Sequence, residues 1–165
     1  MDIITLPILS DRIELISLKK YFNYPPKGCR GIRFLRLNKY GADLVEQLKF
    51  EPIVIGQIES IEGINRLDLI LNEGPLSDVM FGSYDLSGSF NFCGRFVSPI
   101  FQNAVRLFSE TARMHNIPAG QHIVKNQQLE HEVDDNFDFV ALGLDTDFVS
   151  QVARRIDEVL LGLAK

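Results

Sequence analysis

The chain has 165 residues, of which 45% are apolar and 24% charged, and its formal net charge is −5. This length suits one domain with one sizeable core, so we predict a single domain over residues 1–165. Acidic and basic residues are interspersed, which argues against a nucleic-acid partner, because such a partner favours a basic stripe. No apolar run reaches the roughly 18 residues that a membrane span requires, so no membrane association is predicted.

The N-terminus and the two cysteines indicate the compartment. No basic region followed by an apolar stretch and a cleavage site is present, so no signal peptide is predicted. Cys29 and Cys93 lie far apart in the sequence and lack metal-ligand spacing. Reduced thiols are therefore expected, and with them a cytoplasmic location.

The first third of the chain begins with a strand and a helix. Branched apolar residues predict a strand over Ile3–Leu9, and Ser10 can cap a helix over about 11–21. The prolines and glycines of 23–31 exclude a helix there. A short helix is predicted over 41–50, before the nearly all-apolar run Pro52–Ile58, which is typical of a strand buried on both faces.

Strand and helix signals continue to alternate after Ser60, which caps a helix with apolar residues at helical spacing. A short strand follows over Asp78–Phe81, and the glycine- and serine-rich segment Gly82–Phe96 is predicted to be a loop. The remaining predictions are a helix from Ser98-Pro99 to about His115, a strand over Pro118–Val124, a short helix over about Gln127–Asp134, a strand over Asp138–Leu144 and an amphipathic helix over Asp147–Leu163.

Five strands alternating with about five helices predict an α/β fold with a parallel sheet and right-handed crossovers. Two architectures remain open on these grounds. One is a doubly wound five-stranded sheet, which suits this length. The other is part of an eight-stranded (β/α)8 TIM barrel, since a whole barrel usually needs about 250 residues.

Two carboxylates appear where apolar strands end. Glu59 follows the strand Pro52–Ile58, and Asp85 lies shortly after Asp78–Phe81. Parallel strands end on the same side of a sheet, so both acids are expected in one shared cleft. Two hard oxygen ligands that converge in this way suit a divalent cation. Each acid also has a purely structural interpretation, since Glu59 can stabilise a helix N-terminus and Asp85 can form a local turn.

Six short motifs occur in an order and at spacings that resemble the HpcH/HpaI aldolase/citrate lyase family, the metal-dependent pyruvate aldolases. They are Tyr24-Pro-Pro-Lys-Gly-Cys-Arg-Gly31, Tyr40-Gly41, Gln57-Ile-Glu59, Phe81-Gly-Ser-Tyr-Asp-Leu-Ser-Gly-Ser89, Ile117-Pro-Ala-Gly120 and Phe139-Val-Ala-Leu-Gly-Leu-Asp145. Any one motif alone is weak evidence for this resemblance, but the six motifs in this order are fairly specific to the family. The resemblance favours the partial barrel, with about five of the eight βα units.

The resemblance implies a divalent cation, Mg2+, Mn2+ or Co2+, held by Glu59 and Asp85. The implied reaction joins or separates pyruvate and an aldehyde, with a 2-oxo acid as the joined substrate. The loop Gly82, Ser83, Tyr84 and Asp85 would hold the pyruvate carboxylate through backbone amides. Gln57 corresponds to a glutamine at the same rim and is expected to assist catalysis. Strand alternation places it on the same side as Glu59.

The chain also departs from the family pattern. The family barrel has three further βα units before the point that matches Ile3, and these carry an acid/base histidine, its aspartate partner and an arginine. A half-barrel has two open edges, so a homo-oligomer or a partner completing the barrel is expected. This leaves a non-catalytic assembly subunit as an alternative to an aldolase. An acyl-CoA lyase of the same superfamily is a further alternative, although no basic cluster suggests a CoA phosphate site.

His122 follows Pro118–Gln121 at a strand end and has two interpretations. It can face the rim and take part in catalysis, but a lone histidine at a strand end is more often a satisfied polar residue. The final helix, with apolar residues at 149, 152, 156 and 160, is interpreted as a packing helix.

Overall fold

The computed structural model describes residues 3–10, 12–34, 36–49, 51–123 and 137–163. Five strands and seven α-helices lie in this part of the chain, together with a 3-10 helix over Arg36–Gly41. The strands are β1 (Ile3–Leu6), β2 (Ile53–Ile58), β3 (Asp78–Phe81), β4 (Ala119–Ile123) and β5 (Phe139–Leu142). The helices are α1 (Arg12–Phe22), α2 (Leu44–Leu48), α3 (Ile61–Asn65), α4 (Leu67–Glu73), α5 (Ser83–Ser89), α6 (Pro99–Met114) and α7 (Asp145–Leu163).

All five strands form one parallel sheet in the spatial order β1-β2-β3-β4-β5, which is also their order along the chain. A doubly wound sheet reverses its strand order at a switch point, and this sheet does not. The sequential order is that of a (β/α)8 barrel, so the chain forms a curled half-barrel of five parallel strands. The partial-barrel prediction is confirmed, and the doubly wound alternative is wrong.

The outer face of the sheet carries the core. Val54, Ile58, Val79 and Phe81 are buried on this face. The ring of Phe81 meets those of Phe101 and Phe108 on α6 edge-on, at centroid distances of 5.6 and 5.2 Å. Edge-to-face pairs of this kind add to the stabilisation from apolar burial. The strands therefore alternate, with one set of side chains packed against helices and the other set facing the barrel axis.

The inner face is less apolar and less covered. The strand registers place Gln57 beside Met80, Met80 beside Gly120, and Gly120 beside Phe139. A Cβ atom at Gly120 would lie 2.1 Å from the Phe139 ring, so this glycine makes room for the phenylalanine. One row of inner residues thus crosses four strands just below the rim where the strands end.

The prediction of a loop over Gly82–Phe96 is wrong for its first half, because α5 begins at Ser83. Leu86 is fully buried and anchors this helix. The hydroxyl groups of Ser87 and Ser89 donate to the carbonyls of Tyr84 and Leu86, at 2.8 and 2.7 Å, so their polar groups are satisfied within the helix. Burial of one leucine outweighs the low helix propensity of serine and glycine.

The helix predicted after Ser60 is present but is interrupted at Arg66, which separates α3 from α4. Ser60 caps it as predicted, since its Oγ accepts the Gly63 amide at 3.0 Å. The predicted helix over Gln127–Asp134 lies outside the described residues. Among the described helices, none has both the length and the apolar character needed to cross a bilayer.

Two acids lie near each other at the opposite end of the sheet from Glu59. Asp78 begins β3, and Asp138 precedes β5 and accepts the Ala119 amide at 2.8 Å. Desolvation raises the pKa of Asp78, and the charge of Asp138 raises it further. A carboxyl group with a raised pKa in the folded state favours folding in its protonated form. Its contribution to the free energy of unfolding is complete below the pKa that it has in the unfolded chain. This contribution is lost as the pH rises through the pKa that it has in the folded protein.

We therefore expect Asp78→Asn to raise the melting temperature at pH 7, because the amide carries no charge to desolvate. A gain of 1 kcal/mol corresponds to about 2–4 °C in a chain of this size. Thermal unfolding from pH 3 to pH 8 tests this, with Glu110→Gln on the exposed face of α6 as the control. The difference between Asp78→Asn and the wild type should shrink as the pH falls. A variant less stable than the wild type at pH 7 would contradict the prediction.

Candidate active site at the strand ends

Glu59 lies immediately after β2, at the rim of the half-barrel, and only 6% of its surface is exposed. Its Oε1 accepts the backbone N–H of Ile8 at 2.7 Å. Ile8 adopts a left-handed conformation with φ of 52°, which is strained for a β-branched residue. The turn after β1 thus holds one oxygen of the buried carboxylate in a fixed position.

Gln57 and Gly82 contact the same carboxylate. Gln57 donates a side-chain hydrogen bond to Glu59, as two residues on one side of a strand end allow. Gly82 follows β3, and a Cβ atom there would lie 2.6 Å from Oε2 of Glu59 and 3.4 Å from Nε2 of Gln57. No real side chain tolerates the first distance, so the absence of a side chain at Gly82 is what makes room for the carboxylate.

Asp85 lies in the first turn of α5, three residues after Gly82, and is exposed. Its charge acts on Glu59 and raises the pKa of that carboxyl group, so the structure brings the two predicted acids to one rim. Desolvation is the larger cause of the raised pKa of Glu59, while the hydrogen bonds from Ile8 and Gln57 lower it. One buried and one exposed carboxylate therefore repel each other across the end of β3.

This arrangement fits a divalent cation. A cation between the two carboxylates would offset both their repulsion and the desolvation of Glu59. The described residues contain no cluster of three or more His, Cys, Asp or Glu side chains that could hold a metal. Magnesium is commonly bound by only one or two carboxylates, with water and substrate oxygens completing its shell. A site built from Glu59 and Asp85 is of this type.

The segment after Gly82 offers further polar groups. No side chain caps the N-terminus of α5, so the amides of Ser83, Tyr84 and Asp85 lie in a first turn without intrahelical partners. The Oγ of Ser83 is buried and has no hydrogen-bond partner among the described residues. The Tyr84 ring instead packs edge-on against Phe96, at a centroid distance of 5.1 Å. Ser83 therefore offers a hydroxyl and amides, whereas the Tyr84 ring is engaged in packing.

His122 is a rim residue that the sequence left between two interpretations. In the β3–β4 register Phe81 pairs with Gln121, so the next residues, Gly82 and His122, lie side by side. Its Nε2 lies 3.2 Å from the Gly143 carbonyl oxygen. Its place at a predicted strand end was the only signal in the sequence for this residue. Nothing in the sequence indicated that the Ile8 amide would hold Glu59.

Comparison with known proteins gives a consistent result. Residues 1–151 match the HpcH/HpaI aldolase/citrate lyase family. The 5-keto-4-deoxy-D-glucarate aldolase of Enterobacter sp. (strain 638) is 27% identical over 143 residues, which are 85% of this chain and 56% of that protein. The chain thus spans just over half the length of this relative.

Solved structures show the same fold. An HpcH/HpaI aldolase/citrate lyase family protein from Burkholderia cenocepacia J2315 superposes with a TM-score of 0.80 at 16% identity, over 96% of this chain and 64% of that one. The citrate lyase beta subunit of M. tuberculosis, complexed with oxaloacetate and magnesium, superposes with a TM-score of 0.58 at 15% identity, over 86% and 56%. The match over residues 1–151, carried on a half-barrel with acids at its rim, shows that this chain belongs to the HpcH/HpaI aldolase/citrate lyase family.

Proposed function

We propose that this chain carries the cation- and pyruvate-binding part of a divalent-metal-dependent aldolase, a carbon–carbon lyase. The proposed substrates are a 2-oxo acid in the cleavage direction, and pyruvate with an aldehyde in the reverse direction. The observation that carries the proposal is that Glu59 and Asp85 lie at one rim, where burial and, to a smaller degree, the charge of Asp85 raise the pKa of Glu59.

Glu59 and Asp85 would hold the cation, which we propose to be Mg2+, Mn2+ or Co2+. When bound, such a cation polarises the keto oxygen of a 2-oxo acid and stabilises negative charge that develops there. Oε1 of Glu59 is already engaged by the Ile8 amide, so Oε2, which faces Gly82, is the oxygen best placed to bind. Family relatives offer a parallel, since the citrate lyase beta subunit was solved with oxaloacetate and magnesium.

The segment Gly82–Asp85 would bind the carboxylate of the 2-oxo acid. The amides of the first turn of α5 point out of the helix end, and the Ser83 hydroxyl, buried without a partner, can donate to the same group. Tyr84 would contribute its backbone amide, since its ring packs on Phe96. Gln57 would act beside them by holding Glu59 in place and by donating to a substrate oxygen at the rim.

An acyl-CoA lyase remains a weaker proposal. Its substrate carries phosphate groups, which arginine clusters commonly bind. The described residues that surround Glu59 at the rim include Gln57, Gly82, Ser83 and Asp85, and none of these is basic. A 2-oxo acid with one carboxylate suits this rim better.

We predict that Glu59→Gln abolishes metal-dependent exchange of the pyruvate C3 protons in D2O, by more than about 100-fold, because it removes one of two proposed ligands. The amide keeps the size of the side chain and an oxygen for the Ile8 N–H. It also removes the desolvated charge, so the metal-free variant should be as stable as the wild type or more so. Exchange is measured with Mn2+, which is chelated before the spectrum is recorded.

Glu62→Gln is the matched control, since Glu62 lies three residues later and pairs with Arg66 on the surface at 3.1 Å. This variant should exchange like the wild type. Equal exchange by the wild type, Glu59→Gln and a sample without metal would remove the catalytic claim.

Gly82→Ala tests the close approach at the carboxylate. Its Cβ atom would meet Oε2 of Glu59 at 2.6 Å, so the carboxylate must move away from the rim. We expect Mn2+ affinity to fall by at least about 10-fold, as for disturbed ligand-supporting groups elsewhere. Gly88→Ala, on the same helix with nothing within 4 Å of its added Cβ, is the control. Titration by Mn2+ electron paramagnetic resonance measures both, and equal affinities would contradict the prediction.

A second candidate function is assembly without catalysis. A specific observation favours it, since the apolar side chains of Val149, Val152, Ile156 and Leu160 on α7 are 54–69% exposed. They recur at helical spacing and form one stripe. Exposed apolar patches of this kind mark interaction surfaces. We propose a homo-oligomer or a partner that completes the barrel as the cover for this surface and for the open sheet edges.

Size-exclusion chromatography with light scattering tests the assembly proposal. We expect the chain to elute as a dimer or larger, and Val152→Glu with Ile156→Glu to shift it towards the monomer, because two charges interrupt the stripe. Arg154→Glu serves as the control. It changes the net charge by the same amount, but residue 154 is two positions from both 152 and 156 and therefore lies on the opposite side of the helix. A folded wild-type monomer at all concentrations would contradict self-association.

A further inference from the structure

His122 occupies a defined place in the row of inner residues at the rim. The register of β3 with β4 places it beside Gly82, and Gly82 in turn contacts the Glu59 carboxylate. The register of β4 with β5 places it beside Ala141 on its other side. The residue is half-buried. His122 therefore lies at the same rim as Glu59, with Gly82 between them, and no side chain at Gly82 separates the two.

The imidazole ring is anchored on the β5 side. Its Nε2 lies 3.2 Å from the Gly143 carbonyl oxygen. A carbonyl oxygen only accepts hydrogen bonds, so Nε2 carries the proton and Nδ1 of the neutral ring carries a lone pair. Gly143 has φ of 69°, and a Cβ atom there would lie 2.3 Å from the Phe148 ring, so this backbone is held tightly. The anchor fixes both the tautomer and the orientation of the ring.

The two nitrogens of an imidazole point to different sides of the ring. With Nε2 bonded to the Gly143 carbonyl at the end of β5, Nδ1 is the ring nitrogen that remains for a substrate at this rim. Gly82 and then Glu59 are the next rim positions beyond His122 on the β3 and β2 side. A lone pair on a neutral, anchored histidine is a suitable acceptor for a proton from a substrate hydroxyl group.

We infer that His122 is a further catalytic residue of this site, and that Nδ1 accepts the proton of the hydroxyl group on C4 of a 4-hydroxy-2-oxo acid. The inference rests on the proposed aldolase function. With the carboxylate and keto group held at Glu59, Asp85 and α5, the rest of the substrate extends along the rim towards β4.

The O–H bond at C4 breaks, and its proton moves to Nδ1. The electron pair of that bond forms the aldehyde C=O as the C3–C4 bond breaks. The pair from C3–C4 forms the C2–C3 double bond, and the keto π electrons move onto the C2 oxygen, giving the pyruvate enolate. A proton then returns to C3 and yields pyruvate, so no oxidant or reductant is needed.

Two variants separate the functions of the two ring nitrogens. His122→Gln can keep a donor for the Gly143 carbonyl but lacks Nδ1, and His122→Asn keeps an oxygen near the Nδ1 position that accepts a hydrogen bond but is not a base. We expect kcat for cleavage of 4-hydroxy-2-oxopentanoate to fall about 10²–10⁴-fold in both, the range of a lost general base. KM should change less in His122→Asn than in His122→Gln.

Two reactions distinguish failure of this inference from failure of the proposed function. Metal-dependent decarboxylation of oxaloacetate forms the same enolate without a C4 hydroxyl group, so the His122 variants should retain it. If the wild type catalyses both reactions and the variants cleave normally, the inference is wrong and the proposed function stands. If the wild type catalyses neither, the proposed function fails, and the inference with it. His115→Gln, in which the lost ring pairs with Asp68 at 2.9 Å on another face, is the control.

Imidazole 15N spectroscopy supplies a readout that does not depend on turnover. In the metal-free protein we expect the His122 signals of an Nε2–H tautomer, identified by their loss in His122→Gln. With Mg2+ present, a 4-hydroxy-2-oxo acid should shift the Nδ1 signal, whereas pyruvate should leave it unchanged. An Nδ1–H tautomer, or equal shifts with both ligands, would overturn the inference.

Discussion

The rim of this half-barrel depends on one buried carboxylate, that of Glu59 after β2, which lies near the charge of Asp85. Burial at the rim raises the pKa of the Glu59 carboxyl group, and the negative charge of Asp85 raises it further. A protein that served stability alone would place an amide or an apolar residue at position 59. The hydrogen bonds from Ile8 and Gln57 offset part of this cost and at the same time fix where the carboxylate points. Such an unfavourable pair is typical of a functional site.

The backbone around this pair is also strained and tightly packed. Ile8 adopts a left-handed conformation, which costs a non-glycine residue about 1–2 kcal/mol. Its amide is the group that holds Oε1 of Glu59. Gly82 approaches the other oxygen so closely that no side chain fits there. Strain at one strand end and close contact at the next serve the same carboxylate, whereas the apolar packing of Phe81 against α6 lies on the opposite face of the sheet.

Strand positions were predictable because parallel strands buried on one or both faces leave a clear pattern of apolar residues. β2 and β3 end where the sequence indicated, and alternation correctly placed Gln57 and Glu59 on one side. The architecture was predicted less directly, since alternating strands and helices suit both a doubly wound sheet and a barrel. Only the spatial order of the strands distinguishes them, and the order depends on contacts far apart in the sequence.

Three details were beyond prediction for identifiable physical reasons. The helix α5 forms in a segment rich in serine and glycine because Leu86 is buried and two hydroxyl groups bond back to helix carbonyls. The Ile8 amide donates to a carboxylate 51 residues away. Every residue except proline has a backbone N–H, so the sequence does not indicate which amide will be the donor. His122 was visible as a strand-end residue, but its anchor on the Gly143 carbonyl depends on how β4 and β5 align.

We propose above all that one cation joins Glu59 to Asp85. Anomalous diffraction from a crystal of the protein soaked in Mn2+ tests it most directly. The account predicts one anomalous peak at the rim, within about 2.0–2.3 Å of a carboxylate oxygen from each residue, the distance typical of small divalent ions with oxygen ligands. A peak elsewhere, or carboxylates that stay apart with no peak between them at saturating Mn2+, would contradict it.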